Sequence, residues 1–156
     1  LSDLKQKVKF GIMKRSERAV ELFKNWNCNQ SVLASWSPDF GISEELGFKI
    51  GLSYGGGMGR TGKTCGAVTG AYTVIGLWAA TQVEDKAAQK KLAAEKVREF
   101  NRLFIEKFGY LECNELLGHD ISNPEEAEKI NEKKLFDTLC PVFVGRAADM
   151  LNEVLK

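Results

Sequence analysis

Cys28, Cys65, Cys113 and Cys140 are the residues of this chain best suited to chemistry, separated by gaps of 37, 48 and 27 residues. No CxxC pair occurs, so the thioredoxin-type dithiol, the paired knuckles of a zinc ribbon and the CxxCH haem attachment are all absent. The informative regularity is positional. Cys28, Cys65 and Cys140 fall at or beside the expected starts of helices, and Cys113 stands early in a short fourth segment. A helix N-terminus offers unpaired N–H groups and about half a unit of positive charge, which favours thiolate over thiol. If the four starts converge, the sulfurs can form two disulfides that open and close, with no cofactor, or hold a thiolate-bound metal or iron–sulfur cluster. Cys65, opening the most apolar segment, is expected to be the most activated thiol, with Cys28, Cys113 and Cys140 as resolving thiols or further ligands.

The elements that would position these residues read as helices throughout. Leu4, Val8, Ile12, Ala19 and Phe23 make one stripe of a helix over about 2–24. Asn27 with Gln30 three residues later makes a capping box for a helix that carries Cys28 and stops at Pro38. Ser43 followed by Glu44 and Glu45 starts the next, with Leu46, Ile50 and Tyr54 on one face and an end at Gly55. After a glycine-rich loop, Thr64 is placed to cap a helix over about 65–82 that is apolar enough to be the buried centre of the domain. A long charged helix over about 84–108 turns Val97, Phe100, Phe104 and Phe108 inward and ends at Gly109. On its outer face Glu99 is spaced to pair with Arg102, and Arg102 with Glu106. Asn123-Pro124 and Cys140-Pro141 start two more helices, the last burying Phe143, Ala147, Met150, Leu151 and Val154. The expected fold is therefore all-α, one domain over 1–156 with six or seven helices packed around the segment 65–82.

With 22 basic against 21 acidic side chains and 44% hydrophobic residues, the 156-residue chain is neither disordered nor strongly charged. A nucleic-acid partner is not expected, because no field of one sign is present to engage a phosphate backbone. No run approaches the roughly 20 apolar residues of a membrane span, and the first residues show no apolar signal region, so the expected location is the cytoplasm. Gly66, Gly70 and Ala71 form a small-residue face suited to another helix, either within the chain or from a second copy in a homo-oligomer.

The cysteines and their neighbours also carry a family resemblance. Asn27-Cys28-Asn29-Gln30-Ser31-Val32, the glycines at 55–57, Cys65-Gly66-Ala67-Val68-Thr69-Gly70, Cys113-Asn114-Glu115-Leu116-Leu117-Gly118 and Cys140 occur in that order. In this ordered set the chain resembles the C_GCAxxG_C_C redox-active proteins, over about residues 25–155, with the glycine following Cys65 where the label places it before a cysteine. The resemblance implies a single small domain in which all four cysteines are functional. It points to thiol or cluster chemistry with a redox partner, and it supplies no substrate.

Two further motifs compete for attention. Gly57-Met58-Gly59-Arg60-Thr61-Gly62-Lys63-Thr64 fits the P-loop pattern GxxxxGK[ST] in every letter. A working P-loop follows a parallel strand, and Ser43–Tyr54 reads as helix with no βα alternation around it, so we take the match as coincidence. What it leaves is a simpler alternative function, a helical binding module in which Arg60, Lys63, Thr64 and the N–H groups from Gly66 onward attract an anionic small molecule. His119, the only histidine, reads as part of a capping turn; the alternative is a Cys113–His119 nucleophile pair oriented by Asp120.

Overall fold

A computed structural model describes residues 13–156. Within them the chain forms eight helices of five residues or more: α1 (Arg15–Phe23), α2 (Cys28–Trp36), α3 (Glu44–Gly51), α4 (Gly66–Gln82), α5 (Lys86–Phe108), α6 (Cys113–Leu117), α7 (Pro124–Glu132) and α8 (Cys140–Val154). The described residues contain no strand, only an isolated antiparallel bridge between Thr64 and Glu112. The all-α architecture is as expected; Leu4, Val8 and Ile12 of the first expected helix lie outside the described residues.

The helix starts follow from cap chemistry. Asn27 Oδ1 accepts from the Gln30 N–H and Gln30 Oε1 accepts from the Asn27 N–H, both at 2.9 Å, which closes the capping box that sets Cys28 in the first turn of α2. Ser43 accepts from Leu46 N–H, Asp85 from Ala88 N–H, and Asn123 from Glu125 N–H ahead of Pro124. Left-handed Gly109 and Gly118 end α5 and α6. Thr64 does not cap α4: Cys65 takes that position without a side-chain cap, and the Thr64 hydroxyl bonds the Glu112 carboxylate across the bridge instead.

Helix α4 is the centre, burying Ala67, Val68, Ala71, Val74, Ile75 and Ala79. Against it lie Val32 and Leu33 of α2, Phe100 and Phe104 of α5, and Val144, Ala147, Ala148 and Leu151 of α8. Phe100 and Phe104 are fully buried, each contributing about 1.5–3 kcal/mol by leaving water. Phe108 meets Phe104 and Phe143 at ring distances of 4.8 and 5.0 Å, joining α5 to α8. A second, smaller cluster holds Cys113, Leu117, Ile121, Ile130 and Cys140.

Two expectations are corrected, and the small-residue face takes the first of its two expected roles. Leu46, Ile50 and Tyr54 face solvent; α3 meets α2 through Gly47 and Gly51, whose missing side chains let its backbone rest on Ala34, Asn29 and Gln30. The small-residue face of α4 is used inside the chain: Gly66, Gly70 and Ala71 are buried, and both glycines sit against α2. Glu99 pairs with Lys96 at 3.2 Å, whereas Arg102 takes Glu106 at 3.3 Å as expected.

The contact between α2 and α4 is close enough to require glycine. A Cβ at Gly66 would stand 2.9 Å from Cys28 Cβ and 3.0 Å from Asn29 N, whereas a Cβ at exposed Gly76 would meet nothing within 4 Å. Gly66→Ala is therefore expected to lower the unfolding free energy by about 1–3 kcal/mol through overpacking. Gly76→Ala should raise it by about 0.5–1 kcal/mol, since only helix propensity changes. Urea unfolding of the two variants checks the contrast, and equal effects would remove the close-contact explanation.

Candidate functional site

Each cysteine enters the site from the start of a different helix. Cys28 is the first residue of α2, Cys65 the N-cap of α4, Cys113 the first residue of α6 and Cys140 the first residue of α8. Two local structures bring them together. The Thr64–Glu112 bridge is fastened by Cys65 N–H to Leu111 O at 2.8 Å and Cys113 N–H to Lys63 O at 2.7 Å, so the residues carrying these two thiols are tied through their own backbones. Gly66 then lets α2 approach until Cys28 touches the start of α4.

The third device is the loop over 55–64. Gly56, Gly57, Met58, Gly59, Arg60 and Gly62 all have positive φ, between 60° and 72°. At Gly57 both its left-handed backbone and its surroundings demand glycine, since a Cβ would fall 2.6 Å from Lys63 N and 2.7 Å from Cys113 Cβ. The Gly56 N–H is directed at the Cys28 sulfur. The result is one cavity of about 10 Å³, room for about a single water, lined by all four cysteines with Gly57, Gly66, Leu116, Leu117 and Phe143. All four are free thiols; Cys28 is half-buried and the other three are buried.

A family model described as "Putative redox-active protein (C_GCAxxG_C_C)" matches residues 26–154. The chain belongs to this family. Searches of curated proteins and of solved structures give no match.

In this C_GCAxxG_C_C protein the thiols of Cys28, Cys65 and Cys113 are pushed toward the protonated form, contrary to the activation expected of Cys65. Burial is the largest influence on Cys65 and raises it strongly, the charges of Cys28 and Cys113 add to the rise, and the Ala67 and Val68 N–H groups only partly oppose it. Cys113 is pushed up to about 12 by burial and by Cys28, with the Arg60 guanidinium pulling the other way. Cys28 is raised well above the ordinary thiol value, first by its hydrogen bond with the Cys140 sulfur and then by burial, against its own N–H and that of Gly56. A helix end contributes about 0.3–1 kcal/mol, and at Cys65 and Cys113 burial is the larger influence, so desolvation decides their protonation state.

The remaining sequence candidates are distributed differently. The loop N–H groups of Arg60, Gly62 and Lys63 bond to the carbonyls of Gly55, Gly56 and Gly57, so they do not point outward to cradle a phosphate. Thr64 is engaged with Glu112 and Gly66 is buried against Cys28, so of the four anion-site candidates Arg60 and Lys63 are the exposed ones. His119 does not pair with Cys113: its Nδ1 meets Glu126 at 2.8 Å and its Nε2 meets Lys133 at 3.2 Å, while Asp120 binds Ser122 and Asn114. Among the described residues no group of three or more His, Cys, Asp or Glu stands where it could hold a metal ion. Missed by the sequence reading were the Gly56 N–H, the close contact at Gly57 and the reach of Arg60 toward Cys113. The glycine triplet preceding Cys65 was their only visible sign.

Because Cys28, Cys65 and Cys113 ionise above their unfolded value of about 8.5, the stability they provide as neutral groups is complete below that pH and is lost as pH rises toward about 12 for Cys113. Thermal unfolding is expected to show an alkaline decline that becomes shallower in Cys113→Ser and Cys65→Ser. Iodoacetamide should modify the native protein slowly at pH 7 and all four thiols rapidly once it is unfolded. Fast native labelling at pH 7 would contradict the protonated site.

Proposed function

We propose that this protein is a thiol–disulfide redox domain in which Cys28–Cys140 and Cys65–Cys113 are the two reacting pairs. The observation that carries this reading is the convergence on one cavity of four sulfurs from four helix starts. The first pairing is supported by Cys140 being the largest influence on the Cys28 thiol, and the second by the bridge that ties Thr64-Cys65 to Glu112-Cys113. In each pair two thiols lose two electrons and two protons and form one S–S bond. The oxidant is a disulfide of another molecule, whose S–S bond breaks to give two thiols.

Burial bears on the direction of this chemistry. It disfavours thiolates and favours neutral thiols, so the reduced state is stabilised as a proton-carrying dithiol. A soft metal ion or an iron–sulfur cluster would need the same four sulfurs as thiolates, and their placement offers no ready-made coordination site.

Oxidation with glutathione disulfide at fixed redox poise, followed by peptide mapping, is expected to find Cys28–Cys140 and Cys65–Cys113 within one chain. Cys28→Ser should leave Cys140 reduced while Cys65–Cys113 still closes. Four thiols that stay reduced at every poise, or disulfides only between chains, would overturn the reading. Stoichiometric metal in anaerobically purified protein, with all four thiols protected from alkylation, would replace it with a metal-thiolate one.

A further inference from the structure

We propose that Arg60 makes the Cys65–Cys113 pair selective for small disulfides bearing negative charge, with Cys113 the sulfur that meets them and Cys65 the one that resolves. This rests on the thiol–disulfide reading above and adds a substrate class to it.

Arg60 is held in place by its backbone. It adopts φ 60°, which costs a non-glycine residue roughly 1–2 kcal/mol, and its N–H bonds to Gly55 O at 3.0 Å. The Thr61 hydroxyl closes the same turn onto Gly57 O and Met58 O at 2.9 and 2.8 Å. In this conformation the Arg60 stem lies over Gly56, where a Cβ would come within 2.8 Å of Arg60 Cγ and 3.3 Å of Ile121 Cδ1. The guanidinium then reaches over the Phe136 ring, 5.7 Å from its centroid. Phe136 packs on the cluster containing Cys113 and Cys140, and Gly57, next along from Gly56, touches Cys113. The cation therefore stands near the sulfur cavity, outside the residues that line it.

Its charge is not neutralised by the protein. No carboxylate pairs with Arg60 among the described residues; Glu112 is engaged by Thr64, and Asp120 by Ser122 and Asn114. An exposed, unpaired guanidinium held over an aromatic ring beside a thiol can bind a carboxylate of an incoming molecule and also stabilise the thiolate formed beneath it. The Arg60 influence on Cys113 is in that direction. Exchange then balances as follows. Cys113 gives up its proton and its thiolate attacks one sulfur of the small disulfide, whose S–S bond breaks and whose leaving thiolate takes a proton. Cys65, deprotonated in turn, attacks the Cys113 sulfur, forms Cys65–Cys113 and releases the second small thiol. One external disulfide is reduced and one internal dithiol is oxidised.

The test compares anionic glutathione disulfide with cationic cystamine, reading the second-order rate of Cys65–Cys113 closure in the full chain. The ratio of the two rates is expected to fall about tenfold in Arg60→Gln and in Arg60→Gly, and less in Arg60→Lys, with salt eroding the wild-type ratio. Arg60→Gly relieves the left-handed backbone while removing the charge, so it decides the matter if the glutamine variant folds poorly. In Cys65→Ser the trapped mixed disulfide should map to Cys113. An unchanged ratio in both charge-removing variants, or glutathione trapped on Cys28 or Cys140, would overturn the role of Arg60 while leaving the thiol reading intact. Failure of both reagents to form any disulfide would instead defeat the parent reading.

Discussion

The contact on which the rest of the structure depends is the backbone-to-backbone approach of α2 and α4. Gly66 and Gly70 lie one helical turn apart on α4, and a Cβ at either would come within about 2.9 Å of α2 atoms, at Cys28 and at Asn29 O. Two helices this close leave no space for side chains between them, so α2 is buried from Asn29 to Trp36 even though half of these residues are polar. Most of its polar groups find partners inside the protein, with Asn29 Oδ1 the exception. The Asn29 amide donates to Thr69 Oγ1 at 2.9 Å, Gln30 donates to Phe48 O at 2.8 Å, and Trp36 donates to Ala148 O at 3.1 Å. These bonds fix the register of α2, and with it the position of Cys28 above the start of α4.

That geometry sets two electrostatic effects against each other. Bringing four helix starts together gathers N–H groups that favour thiolates, but it also removes the sulfurs from water and places them beside one another. Desolvation and mutual repulsion grow with the same closeness that collects the N–H groups. At Cys65 and Cys113 burial is the foremost influence, and the opposing N–H groups or Arg60 are secondary. The cavity, which admits about one water, leaves little solvent to oppose that desolvation.

Much of this was legible in the sequence because caps and punctuation are local. Asn27 with Gln30, Ser43, Asn123-Pro124, Gly109 and Gly118 each specify an end through atoms within four residues, and the structure uses all of them. The positional regularity of the cysteines followed from those ends. What stayed hidden depends on residues far apart along the chain. Hydropathy assigned α3 an apolar face at Leu46, Ile50 and Tyr54, but the helix packs through Gly47 and Gly51, because a missing side chain can be worth more than an apolar one where two backbones meet. Periodicity also left Glu99 with two basic neighbours at helical spacing, and Lys96, whose ammonium lies 5.8 Å from the Trp78 ring centroid, is the one that takes it.

The loop over 55–64 shows why a pattern of letters is not a mechanism. A phosphate cradle needs consecutive N–H groups turned toward an open space at the head of a helix. Here the left-handed residues turn them inward: Arg60, Gly62 and Lys63 donate to the loop's own carbonyls, and Gly56 donates toward Cys28. The glycines that allow a P-loop to wrap a ligand instead allow this loop to wrap Cys113, at Gly57, and the side chain of Asn114, which occupies the space where Gly62 would carry a Cβ. The same ten residues thus serve as a scaffold for sulfur. What remains outside the loop's internal bonding are the side chains of Arg60 and Lys63, both exposed to solvent.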